Sequence, residues 1–264
     1  MKSLFLCNIP VIGMVHLKAL PGSPFFSGKL EEVVAAARED VFALQNGGVN
    51  GLLFENFNDV PFFPDTVPAE TIAGFAALVA ELKQEISLPF GINVLRNDGA
   101  AAVAIATATG AQFIRVNVFN GATVTDQGVL QSKAHAIVRL KHRLNPELKI
   151  FADVQVKHGA PLIKRPVAEE AQELIERSCA DAVICSGTMT GAPVDRAELE
   201  QIKKAVPKAA IILGSGVDAE NIASLLSCAD AMIVGTAFKK DGKVTAQVDE
   251  ARVKNFMRLI QEKE

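Results

Sequence analysis

What this chain of 264 residues lacks narrows its reading first. It has no basic surplus: 27 Lys and Arg stand against 30 Asp and Glu, for a formal net charge of −3. Non-specific nucleic-acid binding relies on a basic face that neutralises phosphates, so no nucleic-acid partner is expected. Cysteine is sparse, with Cys7, Cys179, Cys185 and Cys228 and no CxxC pair. The last three fall in or beside apolar runs and read as buried, reduced thiols of a cytoplasmic protein. No apolar run approaches the ~20 residues that cross a bilayer. The opening MKSLFLCNIP carries one lysine and a short apolar run closed by Asn8 and Pro10, too short for a secretory signal. No GxGxxG follows the first apolar run, no GxxxxGK[ST] occurs, and no HxH, HExxH or cysteine cluster is present. These absences argue against a dinucleotide fold, a P-loop nucleotidase and a zinc site.

What is present points to one architecture. Hydrophobic residues make up 49% of the chain and charged residues 22%, enough apolar material for a large core. Short runs rich in Val, Ile, Leu or Phe recur at Pro10–His16, Gly51–Glu55, Pro89–Leu95, Gln112–Val118, Lys149–Val154, Asp181–Ser186, Ala209–Gly214 and Asp230–Gly235. Each reads as a buried parallel strand and is followed by a loop and a helical stretch. The predicted helices are Lys29–Asn46, Ala69–Ile86, an Ala-rich segment opened by Asn97-Asp98 and closed by Gly110, Val129–Leu144, Val167–Ser178, Asp195–Val206, Asp218–Cys228 and Asp249–Glu262. In the first, Leu30, Val33, Val34, Ala37, Val41 and Leu44 follow a 3.6-residue period, and Gly47-Gly48 closes it. Asp195 and Asp218 are placed as helix N-caps. Unbroken βα alternation implies a parallel sheet covered by helices, and eight units in a chain near ~250 residues imply one (β/α)8 barrel domain spanning residues 1–264. An open doubly wound sheet is the alternative.

In a barrel of this kind the chemistry sits at the C-terminal strand ends. Strand alternation puts Ile114, Val116 and Val118 toward the helices and Arg115 and Asn117 into the barrel. The next run puts Ala152, Val154 and Val156 outward and Asp153, Gln155 and Lys157 inward. His16, Glu55 and Asn93 end the first three runs. Charges inside a barrel are costly unless paired, so a structural ion pair of Arg115 with Asp153 or Glu55 is the alternative to a functional role. Glu55 and Asp153 are the general acid/base candidates, because folding requires no carboxylate at that height. Arg115 and Asn93 are placed to stabilise an oxyanion. Lys157 reads as an anion-binding or rim lysine, with a Schiff-base role as the alternative.

The last three units carry glycine-rich turns. Gly187 and Thr188 follow the sixth run, Gly214, Ser215 and Gly216 the seventh, and Gly235 and Thr236 the eighth. Glycines let backbone N–H groups approach an anion, and the seventh and eighth loops are the usual phosphate site of this fold. Lys239 is placed at the rim of that cradle. The loops Leu17–Gly28 and Asn56–Pro68 are long and carry Phe25, Phe26, Phe62 and Phe63, which suit a lid, a substrate wall or a subunit contact, so self-association is compatible with the sequence. No cofactor is called for. A Mg2+ shared with a substrate phosphate is compatible with Glu55, Asp59, Asp153 and His16.

Several stretches carry a resemblance across nearly the whole chain. They are Gly13-Met-Val-His-Leu17 with Leu20-Pro-Gly-Ser-Pro24; Gly47-Gly48; Glu55-Asn56-Phe57 with Asp59-Val-Pro61; Asp153-Val154, Lys157-His158 and Pro161-Leu162; Ser186-Gly187-Thr188 with Thr190-Gly191; Gly214–Val217; and Val234-Gly-Thr236 with Lys239–Gly242. In these the chain resembles the BtpA/SgcQ family. The resemblance implies a barrel fold. It also implies one of two settings: biogenesis or stability of photosystem I, or sugar uptake and sugar-phosphate metabolism. From the inward polar set together with the glycine cradle, the expected function is an enzyme of lyase, isomerase or epimerase type acting on a small phosphorylated metabolite such as a sugar phosphate. The alternative is a non-catalytic assembly factor peripheral to a membrane complex.

Overall fold

The computed structural model describes residues 1–187, 195–214, 216–218 and 221–262. Parallel strands β1 (Val11–His16), β2 (Gly51–Glu55), β3 (Phe90–Asn93), β4 (Phe113–Val116), β5 (Lys149–Asp153), β6 (Ala182–Cys185), β7 (Ala210–Leu213) and β8 (Ala231–Val234) close into a barrel. Each pairs with the next, and β8 returns to β1 through Val11 opposite Met232. Helices α1 (Leu30–Gly47), α2 (Ala69–Leu82), α3 (Gly99–Thr109), α4 (Ala134–Leu144), α5 (Val167–Glu176), α6 (Arg196–Ala205), α7 (Ile222–Leu225) and α8 (Glu250–Gln261) follow the strands in turn. This is the (β/α)8 barrel that the alternation predicts. No helix among the described residues is long and apolar enough to cross a membrane.

Strand alternation divides the apolar side chains into two cores. Ile114, Val116, Ile150 and Ala152 join the large core between strands and helices. Ile12, Leu53, Phe113, Phe151, Ile184, Ile212 and Ile233 fill the barrel itself. Phe5, from a short helix at Lys2–Phe5, packs on that inner core, with its ring 5.8 Å from Phe113, which stacks on Phe151 at 4.8 Å. Gly91 makes room for this stack, because a Cβ there would lie 2.2 Å from the Phe113 ring. Burying each such ring contributes roughly 1.5–3 kcal/mol. The barrel interior is therefore filled with apolar side chains below its C-terminal end.

Several expectations need correction. Residues Gly128–Gln131 are not helical; they pair with Ala122–Thr125, which pairs in turn with Gly159–Pro161, in a small antiparallel sheet over the β4 and β5 loops. The hairpin turns at Gly128, whose φ of +104° a larger residue would resist, and it is anchored by buried Leu130. Helix α4 therefore starts only at Ala134. The predicted helix 218–228 shortens to α7 and a following 3-10 turn, Leu226–Cys228. Asp195 caps α6 through the Ala197 N–H at 2.8 Å, whereas Asp218 lies ahead of α7 in reciprocal hydrogen bonds with Asn221, at 3.0 Å each. Cys179 is exposed rather than buried, in a left-handed conformation between α5 and β6.

Lys239 is likewise not a rim residue. It is buried, and its Nζ lies 2.7 Å from Asp40 Oδ2, whose other oxygen accepts the Val248 N–H at 2.8 Å. This buried pair fastens α1 to the segment that follows β8.

Candidate functional site

Register brings the predicted polar residues to one level. Along the barrel wall His16 stands opposite Glu55, Glu55 opposite Asn93, and Asn93 opposite Arg115. All point inward, because they share the parity of the inner core. Asp153 sits one inward step above Phe151, itself the partner of Arg115. Arg115 holds Asp153 with two parallel bonds, Nε to Oδ2 at 3.1 Å and Nη2 to Oδ1 at 2.9 Å. Asn117 Nδ2 adds a third at 2.7 Å. The Asn93 amide donates to the Arg115 carbonyl at 3.1 Å and to Asn117 Oδ1 at 3.2 Å. Asp153 is thus bound up in a buried network.

Glu55 differs. It is buried, yet among the described residues its carboxylate accepts no hydrogen bond, and its nearest charge partner is His16 Nε2 at 3.9 Å. Burial raises its pKa above the ordinary carboxylate range, against the pull of Arg115 and then Lys157. His16 is no counter-charge: burial first, then Lys239 and Lys157, push its pKa down to about 3, with partial opposition from the Val244 carbonyl. The neutral ring stacks on Phe57 at 4.4 Å. Lys157 is half-buried, and burial followed by the charge on Arg115 lowers its pKa to about 8, with Asp153 and Glu55 resisting.

Glu55, His16, Arg115 and Lys157 line a cavity of about 210 Å3, together with Gly214, Gly216, Gly235 and Thr236. The glycine turns are therefore brought beside the polar cluster. Two of them are sterically constrained. A Cβ on Gly214 would meet Ile184 at 2.4 Å and Ser186 Oγ at 2.5 Å, and Gly216 has a φ of +68°. Asp218 also lines this cavity, with its Oδ1 engaged by the Asn221 N–H. Thr188 and Ser215, placed in the phosphate cradle by sequence, lie outside the described residues. Gly187 borders a second cleft instead, of about 610 Å3, which also includes Asn117, Asp153 and Gln155.

Some placements differ from the sequence reading. β5 ends at Asp153, so alternation fails beyond it. Gln155 is exposed, and its amide donates to Glu170 at 3.3 Å rather than pointing into the barrel. Asp59 does not join the other carboxylates. It accepts from the Leu20 N–H at 2.7 Å and the Asn56 amide at 3.0 Å, bracing the first two long loops. Hence Glu55, Asp59, Asp153 and His16 do not converge, and no group of three or more His, Cys, Asp or Glu side chains among the described residues is arranged to hold a metal ion. Phe25 and Phe63 are exposed as expected, while Phe26 and Phe62 are half-buried.

Sequence reasoning missed Arg96 and Ser186. Arg96 is buried and donates through Nη2 to the Lys157 carbonyl, and burial foremost lowers its pKa. The signal was the polar triplet Arg96-Asn97-Asp98, two residues beyond β3. Asn97 bonds the Val118 backbone at both ends, at 3.0 and 2.8 Å, and Asp98 caps α3. Buried polar atoms without a partner are few in native proteins. Here seven such atoms occur among the described residues, and four of them, His16 Nδ1, Asn93 Oδ1, Arg96 Nε and Ser186 Oγ, belong to strand ends or the residues just after them on the C-terminal side of the barrel. Buried Cys185, by contrast, has its thiol pKa pushed up to about 12, chiefly by burial, and is no nucleophile.

Comparison with known proteins agrees with the barrel and supplies a family. Among solved structures, KGPDC from Streptococcus mutans superposes with a TM-score of 0.61 at 12% identity, covering 97% of this chain and 99% of that one. Phosphoribosyl anthranilate isomerase from Thermus thermophilus superposes with a TM-score of 0.56 at 11% identity, covering 96% and 99%. Both are likenesses of fold alone. In sequence, an uncharacterised protein of Thermococcus kodakarensis is 43% identical, over 96% of this chain and 95% of its own length. The photosystem I biogenesis protein BtpA of Synechocystis is 39% identical over 98% and 90%. The putative sgc region protein SgcQ of Escherichia coli is 37% identical over 95% and 93%. The BtpA family model matches residues 7–262, and with these near-full-length relatives the chain belongs to the BtpA family.

Proposed function

We propose that this protein is an enzyme acting on a small phosphorylated metabolite, with Glu55 as its general acid/base. The observation that carries the reading is Glu55 itself: a buried carboxylate with no hydrogen-bond donor among the described residues, in one cavity with the turns at Gly214, Gly216, Gly235 and Thr236. Holding an unpaired carboxyl there costs stability, so the site gives up stability for a reactive group. A raised pKa suits a group that takes and returns a proton near neutral pH. The phosphate end of the substrate would accept from the backbone N–H groups of the two turns, with Lys157 as counter-charge. The carbon skeleton would then lie over Glu55, and Arg115 would stabilise negative charge on an oxygen as the proton leaves. Asp153, Asn117 and Asn93 hold Arg115 in place, which makes them positioning residues. Isomerase, epimerase and lyase steps share this proton transfer. The Thermus thermophilus barrel of similar fold is by its name an isomerase of a phosphoribosyl compound, which supports the reading by analogy of fold.

The test is a thermal-shift and calorimetric screen of sugar phosphates, followed by turnover assays on those that bind. Glu55→Gln should retain binding and lose turnover. If no phosphorylated compound stabilises the protein, the reading fails.

A non-catalytic assembly role is a second reading, favoured by exposed apolar side chains such as Phe25, Phe63, Leu162 and Ile163 and by the name of the Synechocystis relative. Retrieval of a stable partner by Glu55→Gln protein as well as by wild type, with no turnover of any ligand, would favour it.

A further inference from the structure

The two cavities at the C-terminal end share a wall. Arg115 lines the 210 Å3 cavity and is bonded to Asp153, which lines the 610 Å3 cleft. Ser186 lines the large cleft, and its Oγ sits where a Cβ on Gly214, of the small cavity, would come within 2.5 Å. That Oγ is buried and has no partner among the described residues. Organic ligands usually occupy ~300–1,000 Å3. The small cavity is below that range, with room for a phosphate and a few carbons, while the large cleft is well within it.

The two spaces also differ in chemistry. The small cavity concentrates Glu55, His16, Arg115 and Lys157 against glycine turns. The cleft mixes apolar groups such as Val156, Pro161, Leu162 and Ile163 with polar ones that include Asn117, Asn120, Gln155, Arg165, Glu170 and Glu198. The small antiparallel sheet contributes to this wall through Ala122, Thr123, Gly159 and Pro161.

We infer that the substrate is bipartite: a phosphorylated sugar with its phosphate in the small cavity, carrying a heterocyclic ring that lies in the large cleft. The bond joining sugar and ring then passes the Arg115–Asp153 pair. A bare sugar phosphate would leave Val156 and Leu162 facing water, whereas a flat ring covers them and offers polar edges to Gln155 and Glu170. This rests on the reading of the small cavity as a phosphate site, and the experiment separates the two.

Calorimetry with inorganic phosphate, ribose 5-phosphate, AMP and UMP as probes tests it. At least one ring-bearing phosphate should bind at least tenfold more tightly than ribose 5-phosphate, and inorganic phosphate should compete with both. Leu162→Glu changes a side chain that is 59% exposed on the cleft rim, so folding should tolerate it. It should shrink the ring's advantage to less than threefold. If ribose 5-phosphate and inorganic phosphate bind competitively but neither AMP nor UMP binds more tightly, the bipartite substrate is overturned and the phosphate site stands. If none of the four binds, both are overturned. A ring advantage untouched by Leu162→Glu, with circular dichroism unchanged, places the ring elsewhere and also overturns the inference.

Discussion

Two buried carboxylates point into this barrel, and removing them should have opposite effects on stability. Asp153 is held by two Arg115 bonds and one from Asn117. Asp153→Ala leaves Arg115, a residue only 7% exposed, without its ion-pair partner. Breaking such a pair on one side costs about 3–5 kcal/mol, which at this chain length lowers Tm by on the order of 10 °C. Glu55 has no such partners, so Glu55→Gln should be neutral or stabilising at pH 7. The sign of its pH dependence follows from linkage. Folding raises the Glu55 pKa above its ordinary 4.5, so between those two values the native state binds more protons than the unfolded state. Wild-type stability then falls as pH rises through that window. Glu55→Gln escapes this loss, and its advantage should fade as pH is lowered from 7 toward 4.5. The chain has no tryptophan or tyrosine, so the assay is urea unfolding followed by circular dichroism at 222 nm. An Asp153→Ala cost below about 1 kcal/mol, a Glu55→Gln cost equal to that of Asp153→Ala, or a Glu55→Gln advantage that persists at pH 4.5 would refute the reasoning.

Other expectations follow from the same geometry. Once a turned-over substrate is found, Glu55→Gln should lower kcat by roughly 10²–10⁴ while leaving its binding constant within a few-fold, as measured by steady-state kinetics and calorimetry. Gly214→Ala forces a methyl into contact with Ile184 and Ser186, so it should cost about 1–3 kcal/mol by urea unfolding and weaken inorganic phosphate binding more than tenfold. Lys157 loses its charge as pH rises through about 8, so phosphate affinity should drop between pH 7 and pH 9; Lys157→Met should bind weakly at both values, and a wild-type profile flat across that range would count against Lys157 as the counter-charge. Lys239→Met strands buried Asp40 and should cost about 3–5 kcal/mol in the same unfolding assay, where a neutral result would argue against a structural pair.

Much of the barrel was legible along the chain. Eight apolar runs and their amphipathic partners are local periodicities, and strand parity alone assigns Phe113, Arg115 and Asn117 to one side and Ile114 and Val116 to the other. The inward set of His16, Glu55, Asn93, Arg115 and Asp153 follows from the same alternation. It held while the strands ran and failed at Gln155, two residues past the end of β5, because parity has no meaning once the backbone leaves the sheet. The strand at Gly128–Gln131 was hidden because its pairing with Ala122–Thr125 and, through it, Gly159–Pro161 is a non-local match between short segments that look helical or irregular alone.

Sequence by itself determined that His16, Glu55, Asn93, Arg115 and Asp153 face inward at the ends of their strands. Only the tertiary structure decided how they divide the work. Asp153 and Glu55 have the same chemistry and the same position at a strand end, yet Arg115 in β4 forms an ion pair with one and acts on the other only at longer range. Lys239 looks like a rim lysine in the chain, and Asp40, 199 residues away, draws it into the core. Charge pairing depends on distances of a few ångströms across the barrel, and such distances are fixed by closure and register rather than by any local pattern.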